Sequence, residues 1–96
     1  MFGFTNYVYN GITSSTLSAE AVNRLTEADQ AILSGSTAGT FIIVKIPVEG
    51  GTAFASPTPY DKGGKGFVDV FTDEDVFKVA IDQAKGAAGF FGVYEK

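Results

Sequence analysis

The run Asp61-Lys62-Gly63-Gly64-Lys65-Gly66 has the residue types of a phosphate cradle, two cations among three glycines. Glycines let backbone N–H groups approach an anion, and lysines add charge. A P-loop, however, sets G-x-x-x-x-G-K-[ST] between a strand and a helix N-terminus. Here the next segment, "GFVDVFT", alternates as a strand. The order of elements excludes a P-loop. The run reads as a glycine turn with solvated lysines. It becomes an anion site only if Tyr60, Lys62, Gly63, Gly64 and Lys65 converge on a ligand.

Two other runs invite chemistry. Asp73-Glu74-Asp75 carries three carboxylates, but a calcium loop needs further oxygen ligands at fixed offsets. Phe77 and Val79 stand there instead. These acids read as the first turn of a helix, where the dipole favours negative charge. "GAAGFFG" spaces its glycines by three, yet the dinucleotide fingerprint follows a strand and opens a helix. This run does the reverse, closing a helix at Gly86 and opening a strand. Catalysis would fall to Tyr60, Asp61, Lys62 and Lys65, because His and Cys are absent. Each of those needs strong pKa tuning to act as acid or base. The expectation is a non-enzyme with no cofactor. Without Cys there is neither a disulfide nor a thiolate metal site.

The totals narrow the partners. The chain has 96 residues, the size of one domain, here 1–96. Its net charge is −4, and its seven cations (Arg24, Lys45, Lys62, Lys65, Lys78, Lys85, Lys96) are scattered. Nucleic-acid binding needs a basic stripe, so no nucleic-acid partner is expected. An anionic membrane is disfavoured on the same ground. No apolar run reaches the roughly 20 residues of a membrane span. The start, "MFGFTNYVYNG", lacks the basic opening and cleavage site of a signal peptide. The expected location is the cytoplasm, or a host cytoplasm for a viral protein.

The elements follow from periodicity. Phe2–Gly11 is aromatic and β-branched and stops at Asn10-Gly11, a first strand. Leu17–Gly35 carries Ala21, Val22, Leu25, Ala28 and Ile32 at helical spacing, with Ser18 as N-cap. Thr26 followed by Asp29 resembles a second capping box, so this stretch is either one helix or two breaking near Leu25. Thr40–Val48 is the strongest strand, and Pro47 places it at an edge or marks its end. Residues 49–65 are loop-like, and "TAFAS" within them has the makings of an extra strand. A strand, "GFVDVFT", and a helix capped by Thr72 follow. The helix buries Val76, Phe77, Ala80, Ile81 and Ala84. "GFFGVYE" closes the domain as a last strand. The order β-α-β-β-α-β predicts an α+β, ferredoxin-like domain: four antiparallel strands with two helices on one face.

Alternation in "GFVDVFT" puts Phe67, Asp69 and Phe71 on one side and Val68 and Val70 on the other. If two helices cover the valines, the phenylalanines, joined by Phe41 and Ile43, form an open apolar face. Such a face on an acidic domain calls for a protein partner or a homo-oligomer, unless the 49–65 loop folds over it.

The block from Phe41 to Asp82, "IIVKIPV" and then "GFVDVFTDEDVFKVAI", resembles the N-terminal part of the SseB family. There a strand ends near a proline, and a variable loop, a Phe-Thr strand, an acidic turn and a helix follow. The resemblance spans under half of the chain and implies a small non-enzymatic domain. The function expected is protein–protein contact, as an inhibitor, an adaptor or a minor structural protein of an assembly such as a phage. The alternative is a regulatory domain that binds a small ligand or anion through the 56–66 loop.

Overall fold

The computed structural model describes residues 2–12, 14–47, 66–84 and 89–96. The readings placed on 49–65, on Lys85 and on Gly86 lie outside them. Among the described residues four strands form one sheet: β1 (Thr5–Asn6), β2 (Phe41–Pro47), β3 (Phe67–Phe71) and β4 (Gly89–Glu95). Three helices accompany it: α1 (Ala19–Asn23), α2 (Glu27–Gly35) and α3 (Glu74–Ala84).

The class is α+β with an antiparallel sheet, but the strand order is β1-β4-β2-β3. A ferredoxin-like sheet has β1 and β3 inside; here β4 and β2 are inside and β1 and β3 form the edges. The cause lies in which strands are apolar on both faces. On β2, Ile42, Ile43, Val44 and Ile46 are all at most 1% exposed. A strand buried on both faces belongs in the middle of a sheet with a layer on either side. β4 pairs with β2 along seven residues, from Phe41↔Glu95 to Pro47↔Gly89. Pro47 marks the end of β2, not an edge.

The helices are therefore not on one face. Ile42, Val44, Ile46, Val68 and Tyr94 pack with Leu17, Val22, Leu25 and Leu33 of the α1–α2 region. Ile43 and Val93, on the other side, pack with Phe77, Ala80, Ile81 and Ala84 of α3. The result is three layers: α1–α2, sheet, α3.

Local chemistry sets the boundaries. Residues 17–35 break into two helices because Ser18 and Thr26 each act as an N-cap, accepting from the N–H groups of Ala21 and Asp29. The cap of α3 is Asp73, one residue after the expected Thr72. Its Oδ1 accepts from the N–H of Asp75 (2.9 Å) and of Val76 (3.1 Å). A carboxylate there meets both orphan N–H groups and the helix dipole. The first strand pairs over only two residues, Thr5↔Glu95 and Asn6↔Tyr94. Beyond it the chain turns at Asn10-Gly11, both at positive φ, the signature of an I′ hairpin turn. Ser14 then takes over from the departing strand: Val93 N–H donates to its Oγ at 2.9 Å.

Candidate interaction surface

Phe41, Ile43, Phe67, Asp69 and Phe71 share one sheet face. The register sets Phe41 opposite Phe71, Ile43 opposite Asp69 and Lys45 opposite Phe67. That face is not open, because α3 lies on it. Ile43 and Phe67 are fully buried, while Phe41, Asp69 and Phe71 are half-buried. Phe77 of α3 stacks on Phe41 at 5.1 Å between centroids and lies 5.7 Å from Phe71. Tyr7 meets both Phe41 (5.8 Å) and Phe77 (5.0 Å) edge-on. Pairs in these geometries add to the stability that burial alone gives.

Two tyrosines tie the N-terminal segment to α3. Tyr7 donates to Glu74 Oε2 at 2.5 Å, and Tyr9 donates to Asp82 Oδ2 at 2.9 Å. Burial first, and then the Glu74 carboxylate, push the Tyr7 pKa up to about 12. Tyr94, on the opposite face, donates to the Ser15 carbonyl at 2.6 Å, and burial raises its pKa to about 12 as well. Residues two apart on an extended segment point the same way. That spacing was the signal by which Tyr7 and Tyr9 were findable as a pair.

Lys45 carries a second surprise. It is 1% exposed, and its ammonium donates to the carbonyl of Ala84, the last residue of α3. It also lies 5.9 Å from the Phe91 ring centroid. A cation at a helix C-terminus meets the negative end of the dipole, and an aromatic face adds to it. Lys45 is a structural cation, not part of a basic surface.

Among the described residues β3 pairs only with β2. Five large apolar side chains are exposed among the described residues: Val8, Ile32, Val70, Val76 and Val79. Val70 is on β3, Ile32 on α2, and Val76 and Val79 on α3; α2 and α3 both pack on β3. Only Val8 lies elsewhere, on the N-terminal hairpin.

Two depressions lie among the described residues. One of about 260 Å³ is lined by Asn6, Tyr7, Val8, Gly11, Ile12 and Ser14, and Tyr7 is the titratable group among these described residues. The other, of about 190 Å³, has Glu20 and Arg24 among hydroxyls, with Ile46 and Phe90 as its apolar part. No group of three metal-ligating side chains occurs among the described residues, and none of their helices is long and apolar enough to cross a membrane. Tyr60, Lys62, Gly63, Gly64 and Lys65 lie outside them. No family model matches the chain, and neither does any curated protein or solved structure.

Proposed function

We propose that the chain is a small non-catalytic protein–protein interaction domain that meets its partner along the outer edge of β3. The observation that carries this is Val70, a large apolar side chain 42% exposed on a strand at the edge of the sheet among the described residues. Four of the five exposed apolar side chains among those residues belong to β3 or to the two helices packed on it. Exposed apolar side chains at a sheet edge are the kind of feature that marks an interaction site on a small domain. An edge strand offers N–H and C=O groups to an added strand, and the flanking side chains provide grip. The depressions point away from catalysis. A tyrosine with a pKa near 12 is a poor acid or base at neutral pH. The SseB-like pattern over 41–82 points the same way. An inhibitor, an adaptor and a minor component of an assembly all work by contact of this kind.

The test is affinity capture from the native source with three baits: wild type, Val70→Lys and Val8→Lys. Val70 is 42% exposed and Val8 89%, so both variants fold. The account expects one prey to be held by wild type and Val8→Lys and lost by Val70→Lys. A prey retained equally by all three refutes the β3 edge as the contact.

A further inference from the structure

We infer that the depression beside α1 binds a free aliphatic α-amino acid, with its carboxylate on Arg24, its ammonium on Glu20 and its side chain over Ile46 and Phe90. This goes beyond the contact proposed for β3 and does not depend on it.

The floor comes from the sheet. Ile46 and Phe90 stand opposite one another in the register, where β2 ends and β4 begins. Both lie on the α1–α2 side, Ile46 in the core and Phe90 half-buried against it. α1 has only five residues, and the chain leaves it at Arg24 before α2 is capped at Thr26. The hollow of about 190 Å³ beside this short helix therefore reaches core side chains. Water over an apolar floor is weakly held, and an apolar ligand group that displaces it gains affinity. The volume is below the roughly 300–1,000 Å³ of sites for drug-sized molecules, so the occupant is small.

The rim selects charge. Glu20 and Arg24 both line the hollow, both are exposed, and they stand four residues apart on α1 and its C-cap. On an open helix face such a pair only adds a little to helix stability. Above an apolar hollow it is also a sieve. A simple anion drawn to Arg24 meets the Glu20 carboxylate, and a simple cation drawn to Glu20 meets the guanidinium. A molecule that carries both charges satisfies both groups. The guanidinium presents five N–H donors, so a partner already on Arg24 does not exhaust it. The other polar lining is committed or neutral. Ser18 Oγ accepts from Ala21 N–H, and the Ser15 carbonyl accepts from the Tyr94 hydroxyl. The hydroxyls of Ser15 and Thr16 donate or accept, so they suit either end of a zwitterion. Two opposite charges above an apolar floor in a small volume describe an amino acid with an aliphatic side chain.

L-leucine is the probe, titrated into the full chain at low salt and followed by backbone amide shifts. So few ligand atoms give an expected dissociation constant of about 1 mM. Shifts should concentrate on residues 15–24 and on Ile46 and Phe90. L-leucinamide lacks the carboxylate and isocaproate lacks the ammonium, so each should bind about tenfold more weakly. Glycine keeps both charges without the side chain and should lose at least about tenfold. Arg24→Gln should bring leucine and leucinamide together, and Glu20→Gln should do the same for leucine and isocaproate. Both positions are exposed, so the far-UV spectrum should stay unchanged. Val70→Lys should leave leucine binding intact, which separates this site from the β3 contact. Shifts that do not saturate by about 20 mM, or that lie away from the hollow, overturn the site. Equal binding of leucine and isocaproate to wild type overturns the zwitterion in favour of an anion. Equal binding of leucine and glycine overturns the apolar floor.

Discussion

Replacing Gly92 with alanine probes the packing of the α1–α2 face at a point where the contacts are explicit. Gly92 is on β4 opposite Val44, and Tyr94, two residues on, leans back over it. An ideal Cβ on Gly92 would sit 2.6 Å from two ring carbons of Tyr94 and closer still to its hydroxyl. Real side chains do not tolerate such contacts, so the ring must swing away. Tyr94 is fully buried, and its hydroxyl donates to the Ser15 carbonyl at 2.6 Å. Overpacking of this sort costs about 1–3 kcal/mol, and a broken buried hydrogen bond costs a further ~1–3 kcal/mol. The expected loss is therefore about 2–6 kcal/mol, a large share of the roughly 5–15 kcal/mol that a domain commands. Urea unfolding followed by circular dichroism measures it. Tyr94→Phe sharpens the test. Alone it should cost about 1 kcal/mol, because it removes the hydrogen bond. In the Gly92→Ala background it should cost almost nothing, since that bond is already lost and the smaller ring relieves the closest contact. Strict additivity of the two changes, or a Gly92→Ala loss under about 0.5 kcal/mol, would refute the reasoning.

Three further outcomes follow from the same contacts. Asp73→Ala should cost about 1 kcal/mol of stability in urea titration while Thr72→Ala costs little, because the Asp73 carboxylate caps α3; the reverse ranking would return the cap to Thr72. Phe67→Glu should abolish cooperative thermal unfolding, since it places a carboxylate at a fully buried site beneath α3; a folded variant would mean that this face is open after all. Stability should also fall with alkali. With the Tyr94 pKa near 12 in the folded chain and 10 in the unfolded one, both states are protonated below pH 10. Between pH 10 and 12 only the unfolded chain loses the proton, so stability drops, by up to about 3 kcal/mol for this group. Tyr94→Phe should flatten that drop, and an identical alkaline profile for both proteins would contradict the burial assigned to Tyr94.

Local pattern was legible where local forces decide. The alternation of "GFVDVFT" correctly grouped Phe67, Asp69 and Phe71, and the expected strand at "GFFGVYE" is β4 residue for residue. The second capping box at Thr26 marked a break that the structure makes. Strand order was not legible, because it depends on which distant segments pair. The clue was the unbroken run Phe41-Ile42-Ile43-Val44: a strand apolar on both faces requires cover on both, and hence helices on opposite sides. The face with Phe67 and Phe71 was found, but α3 as its cover was not. Lys45 was only counted among the scattered cations, because its partner, the end of α3, is 39 residues away. The first strand shrank to two paired residues because Phe2 and Gly3 both take positive φ and turn the chain aside. The cap of α3 slipped by one because Thr72 and Asp73 are both good N-caps, and only the helix register chooses between them.

Backbone amide exchange, resolved residue by residue on the free chain, tests the central claim most directly. Exchange reports local opening energies from near zero up to the global stability. With β2 and β4 inside the sheet and β3 at an accessible edge, the amides of both inner strands should be the most protected. Along β3, alternate amides should divide into a protected set directed at β2 and a fast-exchanging set directed outward. Uniform protection along Phe67–Phe71 would show the outer edge already covered, and the proposed docking surface would not exist.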